Sequence, residues 1–139
     1  MQSTARVTRA VLCMDSGQVI NPDLAEGQLY GGLYRGLGYA LLEDTQYNEE
    51  SGELTNKGLL NDFKMLTAGD MPKLDNIQTY FTNTEEPTGP FGAKGIGEAA
   101  LNPTAAAVAN AVYHAIGIRF TEIPIRPEHV LQALKGGEK

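Results

Sequence analysis

Hydrophobic residues follow two different periods along the chain, and these periods predict both strands and helices. Residues 6–14 begin with an alternating stretch and continue into the apolar run 10–14, a pattern typical of a buried strand. Apolar and polar side chains alternate again between residues 76 and 84, where β-forming residues dominate and predict a second strand. The first strand lies so near the start of the sequence that we expect its partner to come from later in the chain or from another polypeptide.

Asn21-Pro22-Asp23 has the residue types that begin a helix: an N-cap side chain, a proline at the first position and an acid in the first turn. Leucines recur every four residues after it and predict a helix that reaches about residue 43. Five glycines interrupt this pattern, and each costs about 1 kcal/mol relative to alanine. Two shorter helices that meet near residues 36–38 are the alternative.

Gly32, Gly36 and Ala40 lie on one face of the predicted helix and leave it without large side chains. Such a face admits either a second helix at close range or a ligand. Gln28 lies in the same glycine-rich stretch. Its amide is either an exposed polar group or a group that binds a polar ligand on the glycine face.

The rest of the chain predicts further short elements. Residues 48–61 indicate a loop or a hairpin that turns at Gly52, and residues 62–67 indicate a short extended piece. A second Asn-Pro pair predicts a helix over residues 102–116 that ends at Gly117. Alternation predicts a strand at 119–125, and an apolar stripe predicts a last helix at 127–134.

Together these elements predict an α+β fold in which two longer helices and a short C-terminal helix pack on a small mixed sheet. A length of 139 residues is enough for one domain, so residues 1–139 are taken as a single domain. The terminal residues 1–5 and 135–139 are expected to be frayed.

Composition excludes several classes of function. A net charge of −6 without a basic cluster argues against nucleic-acid binding. The single cysteine, Cys13, excludes a disulfide framework, and the two histidines lack a second ligand at metal spacing, so no metal ligand is predicted from this chain. Neither a signal peptide nor a membrane span is visible in the sequence, and a cytoplasmic protein is expected.

The most unusual stretch is residues 89–98, Gly-Pro-Phe-Gly-Ala-Lys-Gly-Ile-Gly-Glu, which we call the glycine loop. It lacks the Lys-Ser/Thr ending of a phosphate-binding P-loop. Residues 95–100 match a dinucleotide-binding string, but about ten residues separate them from the preceding strand, whereas that motif follows its strand directly. On the pattern alone, Glu98 is either a favourable charge beside a helix N-terminus or a carboxylate in a ligand site.

Several motifs agree, in order and spacing, with the C-terminal part of the molybdenum-binding subunit of the molybdenum hydroxylases, the family of xanthine dehydrogenases and aldehyde oxidoreductases. The resemblance runs from about Arg6 to Leu134. It rests on Asp15-Ser16-Gly17, Val19-Ile20-Asn21-Pro22, Glu26-Gly27-Gln28, Gly31-Gly32, Gly36-Leu37-Gly38, Asp62-Phe63-Lys64, Asp70-Met71-Pro72 and the whole glycine loop.

The resemblance implies a role for each residue of the candidate site. Glu98 matches the family's catalytic base, which takes a proton while an oxygen derived from water is transferred to an aldehyde or an N-heterocycle. Gln28 matches a glutamine that binds the cofactor, and Gly95, Ile96 and Gly97 match the backbone near its metal end. The implied cofactor is molybdopterin with molybdenum, as such or as a cytosine dinucleotide.

Family members are several times longer than this chain, so the resemblance implies only part of a molybdopterin-binding domain. The expected partners are the N-terminal part of the molybdenum subunit and subunits that carry the Fe–S clusters and FAD. The chain alone is expected to be inactive. A non-catalytic remnant or assembly module of such an enzyme and a small-ligand binding domain that uses the glycine loop are the alternatives.

Overall fold

A computed structural model of the chain describes residues 6–55 and 59–136. Two strands and three helices form the framework. In chain order these are β1 (Ala10–Asp15), α1 (Pro22–Leu41), β2 (Ile77–Thr82), α2 (Thr104–Ile116) and α3 (Pro127–Gly136). Short 3₁₀ turns lie at Leu60–Asp62, Ala68–Asp70, Leu74–Asn76 and Pro90–Gly92. This arrangement confirms the predicted α+β class with two longer helices and one short helix.

The two strands form a parallel sheet, in which β1 finds its partner later in the same chain. The register runs from Ala10 opposite Ile77 to Asp15 opposite Thr82, so both strands end at the same edge of the sheet. Strand β1 is shorter at its start than the predicted 6–14. One face of the sheet packs inward, whereas Val11 and Tyr80 on the other face remain 56% and 53% exposed.

Helix α1 is continuous, and its N-cap is Asn21, whose side-chain oxygen accepts a hydrogen bond from the Leu24 N–H at 3.1 Å. The alternative of two shorter helices is therefore wrong. Leu29, Leu33 and Leu37 of the predicted stripe are buried. The buried hydrophobic cluster consists of Leu33, Leu37, Ala40, Leu66, Ile77 and Val108.

Helix α2 packs on the glycine face of α1. A Cβ atom built on Gly32 would lie 2.5 Å from the Cβ of Ala100, and one built on Gly36 would lie 2.3 Å from the Cβ of Thr104. Real Cβ atoms do not approach so closely, so glycine is needed at both positions. Of the two predictions for this face, close packing by a second helix is confirmed.

Two predicted features differ in the structure. Residues 119–125 form no strand. Ile125 is 1% exposed and its N–H donates to the Ala40 carbonyl oxygen at 2.7 Å, whereas Ile123 is 39% exposed, so the apolar residues of this segment do not share one buried face. The short extended piece predicted at 62–67 follows the 3₁₀ turn Leu60–Asp62, with extended backbone at Phe63 and Thr67. Helix α3 includes residues 135 and 136, which were expected to be frayed.

The hairpin at Gly52 is confirmed by an antiparallel bridge between Tyr47 and Leu54 and by a positive φ of 70° at Gly52. The predictions for residues 1–5 and 137–139 lie outside the described residues. Within 6–55 and 59–136, no helix is long and apolar enough to cross a membrane.

The contact between α1 and α2 can be tested with two alanine substitutions on α1. Gly36→Ala should lower the unfolding free energy of the chain by about 1–3 kcal/mol, because the new methyl group meets the Thr104 side chain. Gly31→Ala is the matched control: no described atom lies within 4 Å of its Cβ position, so it should stabilise α1 by about 0.5–1 kcal/mol. Thermal unfolding followed by circular dichroism measures both, and an unchanged or raised melting temperature for Gly36→Ala would contradict the packing.

Candidate functional site

The first half of the glycine loop is a tight turn that is held by its own backbone. The N–H of Gly92 donates to the Gly89 carbonyl oxygen at 3.1 Å, and the N–H of Ala93 donates to the Pro90 carbonyl oxygen at 3.0 Å. Phe91, at the centre of this turn, has a φ of 55° and a side chain that is 87% exposed. This half of the loop therefore has a fixed shape before any other molecule contacts it.

The backbone that follows β1 holds the loop. Lys94 donates its N–H to the Ser16 carbonyl oxygen at 2.8 Å, and Gln18 donates its N–H to the Gly92 carbonyl oxygen at 3.0 Å. Between them, Gly17 and Ala93 form an antiparallel bridge. Gly17 has a φ of 59°, and a Cβ there would lie 2.2 Å from the Gly92 oxygen, so only glycine fits.

Three side chains reinforce the same junction. The Lys94 Nζ donates to Asp15 Oδ2 at 2.6 Å and to Thr84 Oγ1 at 2.7 Å, and the Thr84 hydroxyl also donates to Asp15 Oδ2. The Lys94 ammonium, and after it the Thr84 hydroxyl, hold the pKa of Asp15 well below its usual range. Asp15 therefore carries its charge at neutral pH and ties the loop to the sheet edge.

The second half of the loop, residues 95–98, is not held by hydrogen bonds from its own backbone N–H groups to other described residues. In the described part of the chain, the backbone N–H groups of residues 95–98 donate no hydrogen bond. Gly95 and Gly97 are exposed, and no described atom lies within 4 Å of a Cβ built on either one. Between them, Ile96 packs against the cluster of Met14, Leu29 and Ala100. This apolar contact leaves the neighbouring glycine backbone facing outward.

Glu98 is exposed and lies six residues before α2, which begins at Thr104. Its carboxylate makes no ion pair or hydrogen bond with a described residue, while its carbonyl oxygen accepts the Leu101 N–H at 3.0 Å. Glu98 therefore lies in the hydrogen-bonded turns that lead into α2, and the start of the helix differs from the prediction by one residue. The prediction took Asn102 as the N-cap, but residues 97–103 form hydrogen-bonded turns and the cap position is Pro103.

Gln28 is exposed on α1, one turn before Gly32 and on the same side of the helix. The next residue, Leu29, shares a cluster with Ile96 and Ala100, so the structure brings this turn of α1 to the loop. The prediction of a ligand on the glycine face itself is wrong, because α2 and the residues before it cover Gly32 and Gly36.

Sequence reasoning missed Asp15, Thr84 and Lys94 as a group. The sequence patterns include Asp15 only in the Asp15-Ser16-Gly17 motif and Lys94 only in the glycine loop. A weak signal was present, since Lys94 is the only basic residue of the glycine loop and Asp15-Ser16-Gly17 has the form of an Asx turn. Nothing in the sequence indicates that positions 79 residues apart form an ion pair.

Comparison with known proteins shows which family the chain belongs to. Residues 2–72, just over half of the chain, match the family model described as a molybdopterin cofactor-binding domain. The chain is 38% identical over 126 residues to a xanthine dehydrogenase molybdenum-binding subunit from Escherichia coli O157:H7, covering 91% of this chain and 16% of that protein. It is 38% identical over 124 residues to an aldehyde oxidoreductase from Megalodesulfovibrio gigas, covering 89% and 13%.

A solved structure shares the fold. The crystal structure of quinoline 2-oxidoreductase from Pseudomonas putida 86 superposes with a TM-score of 0.83 at 32% identity, covering 96% of this chain and 17% of that one. The chain thus spans about one sixth of the length of these relatives. It belongs to the family of molybdopterin cofactor-binding domains and resembles a segment of the molybdenum-binding subunits of xanthine dehydrogenases and aldehyde oxidoreductases.

Proposed function

We propose that this chain contributes part of the active site of a molybdopterin-dependent hydroxylase, with Glu98 as the catalytic base. The reaction class is the oxidation of an aldehyde or an N-heterocycle with water as the source of oxygen. The names of the relatives support this class, because they include a xanthine dehydrogenase, an aldehyde oxidoreductase and a quinoline oxidoreductase. The family match supports molybdopterin as the cofactor.

The observation that carries the proposal is the backbone of residues 95–98. Its N–H groups have no acceptor among the described residues, and Gly95 and Gly97 have open space where a side chain would stand. Neither glycine is needed for packing inside the described chain, and neither has a positive φ. A surface of unpaired N–H groups without side chains suits a ligand with many acceptor atoms, such as the pterin, its phosphate and the oxygen ligands of molybdenum.

The position of Glu98 next to this surface supports its proposed role as the base. Its carboxylate has no cationic or hydrogen-bonding partner within the described residues and is therefore free to accept a proton. In the complete enzyme, we infer that it takes the proton released as the water-derived oxygen is transferred to the substrate carbon. The bound cofactor supplies the two-electron redox chemistry.

Gln28 complements the backbone surface from the side of α1. Its amide carries both donors and an acceptor, so it can bind a polar edge of the pterin that a backbone N–H alone cannot satisfy. The packing of Leu29 against Ile96 fixes the distance between the two elements. Gln28, Gly95, Ile96 and Gly97 are therefore proposed as the contribution of this chain to cofactor binding.

We infer that the rest of the site lies outside these 139 residues, since the chain covers only 16% and 17% of two of its matched relatives. We infer that the partners are the remaining part of the molybdenum subunit and the domains or subunits that carry Fe–S clusters and FAD. The proposed location of the assembly is the cytoplasm, and the chain alone is expected to show no turnover. Both molybdopterin and its cytosine dinucleotide are compatible with the backbone surface.

Replacement of the base tests its role. In the protein assembled with its partner subunits, Glu98→Gln should lower kcat for aldehyde or purine oxidation by about 10²–10⁴-fold, because the proton acceptor is lost. The molybdenum content should stay at the wild-type level. Glu122→Gln, which removes another exposed carboxylate, is the control and should keep full turnover. Stoichiometric molybdenum with unaltered turnover in Glu98→Gln would contradict the assigned role.

A methyl group at Gly95 tests the cofactor surface. Gly95→Ala should leave the melting temperature of the chain unchanged, because the new atom meets nothing in the described structure. It should lower the molybdenum and pterin content of the assembled protein, since the methyl group would stand where the ligand approaches. Gly136→Ala, also without neighbours, is the matched control. Full molybdenum content in Gly95→Ala would contradict the proposed surface.

The same measurements separate the alternatives. A non-catalytic remnant or assembly module would form a complex with its partner subunits without molybdenum. A small-ligand binding domain would bind a nucleotide tightly as the isolated chain, which isothermal titration calorimetry detects.

A further inference from the structure

Lys94 occupies a special position in the glycine loop. It is the last residue before the segment with unpaired N–H groups, and it is held by both its backbone and its side chain. The backbone N–H donates to the Ser16 carbonyl oxygen at 2.8 Å. The side-chain Nζ reaches Asp15 at 2.6 Å and Thr84 at 2.7 Å.

Asp15 joins three parts of the chain through its two carboxylate oxygens. Oδ2 accepts from the Lys94 ammonium and the Thr84 hydroxyl. Oδ1 accepts from the Gly17 N–H at 3.1 Å and from the Thr84 N–H at 3.4 Å. Asp15 is the last residue of β1, and Thr84 follows the end of β2, so the contacts gather both strand ends at one point.

Beyond Lys94, few contacts define the path of the loop. The next contact is the packing of Ile96, and the next hydrogen bond is the one from the Leu101 N–H to the Glu98 carbonyl oxygen at 3.0 Å. The segment that includes Gly95, Gly97 and Glu98 is therefore fixed by hydrogen bonds to described residues only at its two ends, at Lys94 and at the turn that begins with Glu98. The position of Lys94 determines where the N–H groups and the carboxylate point.

We propose that Asp15, Thr84 and Lys94 form a loop clamp whose function is to position residues 95–98 for the cofactor and the base. This inference rests on the proposed function. Lys94 and Asp15 are positioning residues in it, because they act through the segment that they hold and make no contact with the reacting atoms. The clamp requires the charge and the reach of both side chains.

The solvent exposure of the clamp distinguishes positioning from a general role in stability. The side chains of Lys94 and Asp15 are 30% and 39% exposed, and ion pairs with that access to water contribute little to the free energy of unfolding. A displacement of the loop by about 1 Å, by contrast, is enough to lower turnover by about 100-fold. Loss of the clamp should therefore affect the site much more than the melting temperature.

Four variants test the clamp. Lys94→Met keeps most of the side-chain length and removes the charge, and Asp15→Asn keeps one acceptor and removes the partner charge. Lys94→Arg keeps the charge and should restore most of the function that Lys94→Met loses. Lys73→Met removes an exposed lysine elsewhere and is the matched control.

The first readout needs no cofactor. Hydrogen exchange in the full chain should become about two- to fivefold faster at the amides of Gln18 and Lys94 in both charge-removing variants, the range that loss of one exposed ion pair permits. The Leu42 amide, bonded to the Gly38 carbonyl oxygen at 2.9 Å, and the Lys73→Met variant should stay at the wild-type rates. Unchanged exchange at Gln18 and Lys94 in Asp15→Asn would overturn the clamp. That result also remains decisive if Lys94→Met fails to fold.

The second readout uses the assembled enzyme. Lys94→Met and Asp15→Asn should each lower kcat by about tenfold or more with a smaller change in KM. A double variant that carries both substitutions should have a kcat no lower than that of the less active single variant. Additive losses, or no rescue by Lys94→Arg, would overturn the clamp. Lower molybdenum content in Lys94→Met with normal content and turnover in Asp15→Asn would also overturn it, because Lys94 would then act on the cofactor directly.

The two proposals fail in different ways. Glu98→Gln should leave the exchange rates of Gln18 and Lys94 at their wild-type values, since Glu98 is not part of the clamp. Full turnover in Glu98→Gln, or an assembled wild-type protein without molybdenum, would overturn the proposed function. The exchange rates of the Gln18 and Lys94 amides would still show whether the clamp holds the loop.

Discussion

The close approach of α2 to α1 is the contact on which the rest of this structure depends. Gly32 and Gly36 leave no room for even a methyl group, because Ala100 and Thr104 occupy the space where a Cβ atom would stand. This contact fixes residues 100–104 against α1 and thereby sets the end of the segment that begins at the glycine loop. The apolar cluster of Ile96, Leu29 and Met14 then determines how closely the glycine loop approaches α1. The packing of the helices therefore also determines the geometry of the candidate site.

Five glycines in and around the candidate site fall into two groups with different physical reasons. At Gly17, Gly32 and Gly36, a side chain would collide with neighbouring atoms of the chain itself. At Gly95 and Gly97, no described neighbour excludes a side chain and no positive φ demands glycine. The internal group explains the fold. The outward group has no explanation inside the described residues, which supports a ligand that approaches the backbone from outside.

Local patterns in the sequence predicted most of the framework. The N-cap at Asn21, the leucine repeat and the alternation at 76–84 are signals within a few residues, and both elements that they predicted are present. The strand predicted at 119–125 is absent, and the segment is instead attached to the end of α1 by the hydrogen bond from the Ile125 N–H to the Ala40 carbonyl oxygen. Asn102 resembles an N-cap, but the turns around Glu98 delay α2 to Thr104. The roles proposed for Glu98 and Gln28 rest on family resemblance, and the ion pair of Asp15 and Lys94 is a long-range contact that no local pattern records.

The uncovered face of the two-stranded sheet has a consequence for the behaviour of the chain in solution. Parallel sheets are normally covered on both faces, yet Val11 and Tyr80 present apolar surface to water on one side of β1 and β2. Among the described residues, β1 and β2 pair only with each other, so each strand has an outer edge without a neighbouring strand. A chain with these properties gains free energy whenever another polypeptide lies against the sheet. Its solubility therefore depends on its concentration and on the presence of other polypeptides that can cover the sheet, as well as on its net charge.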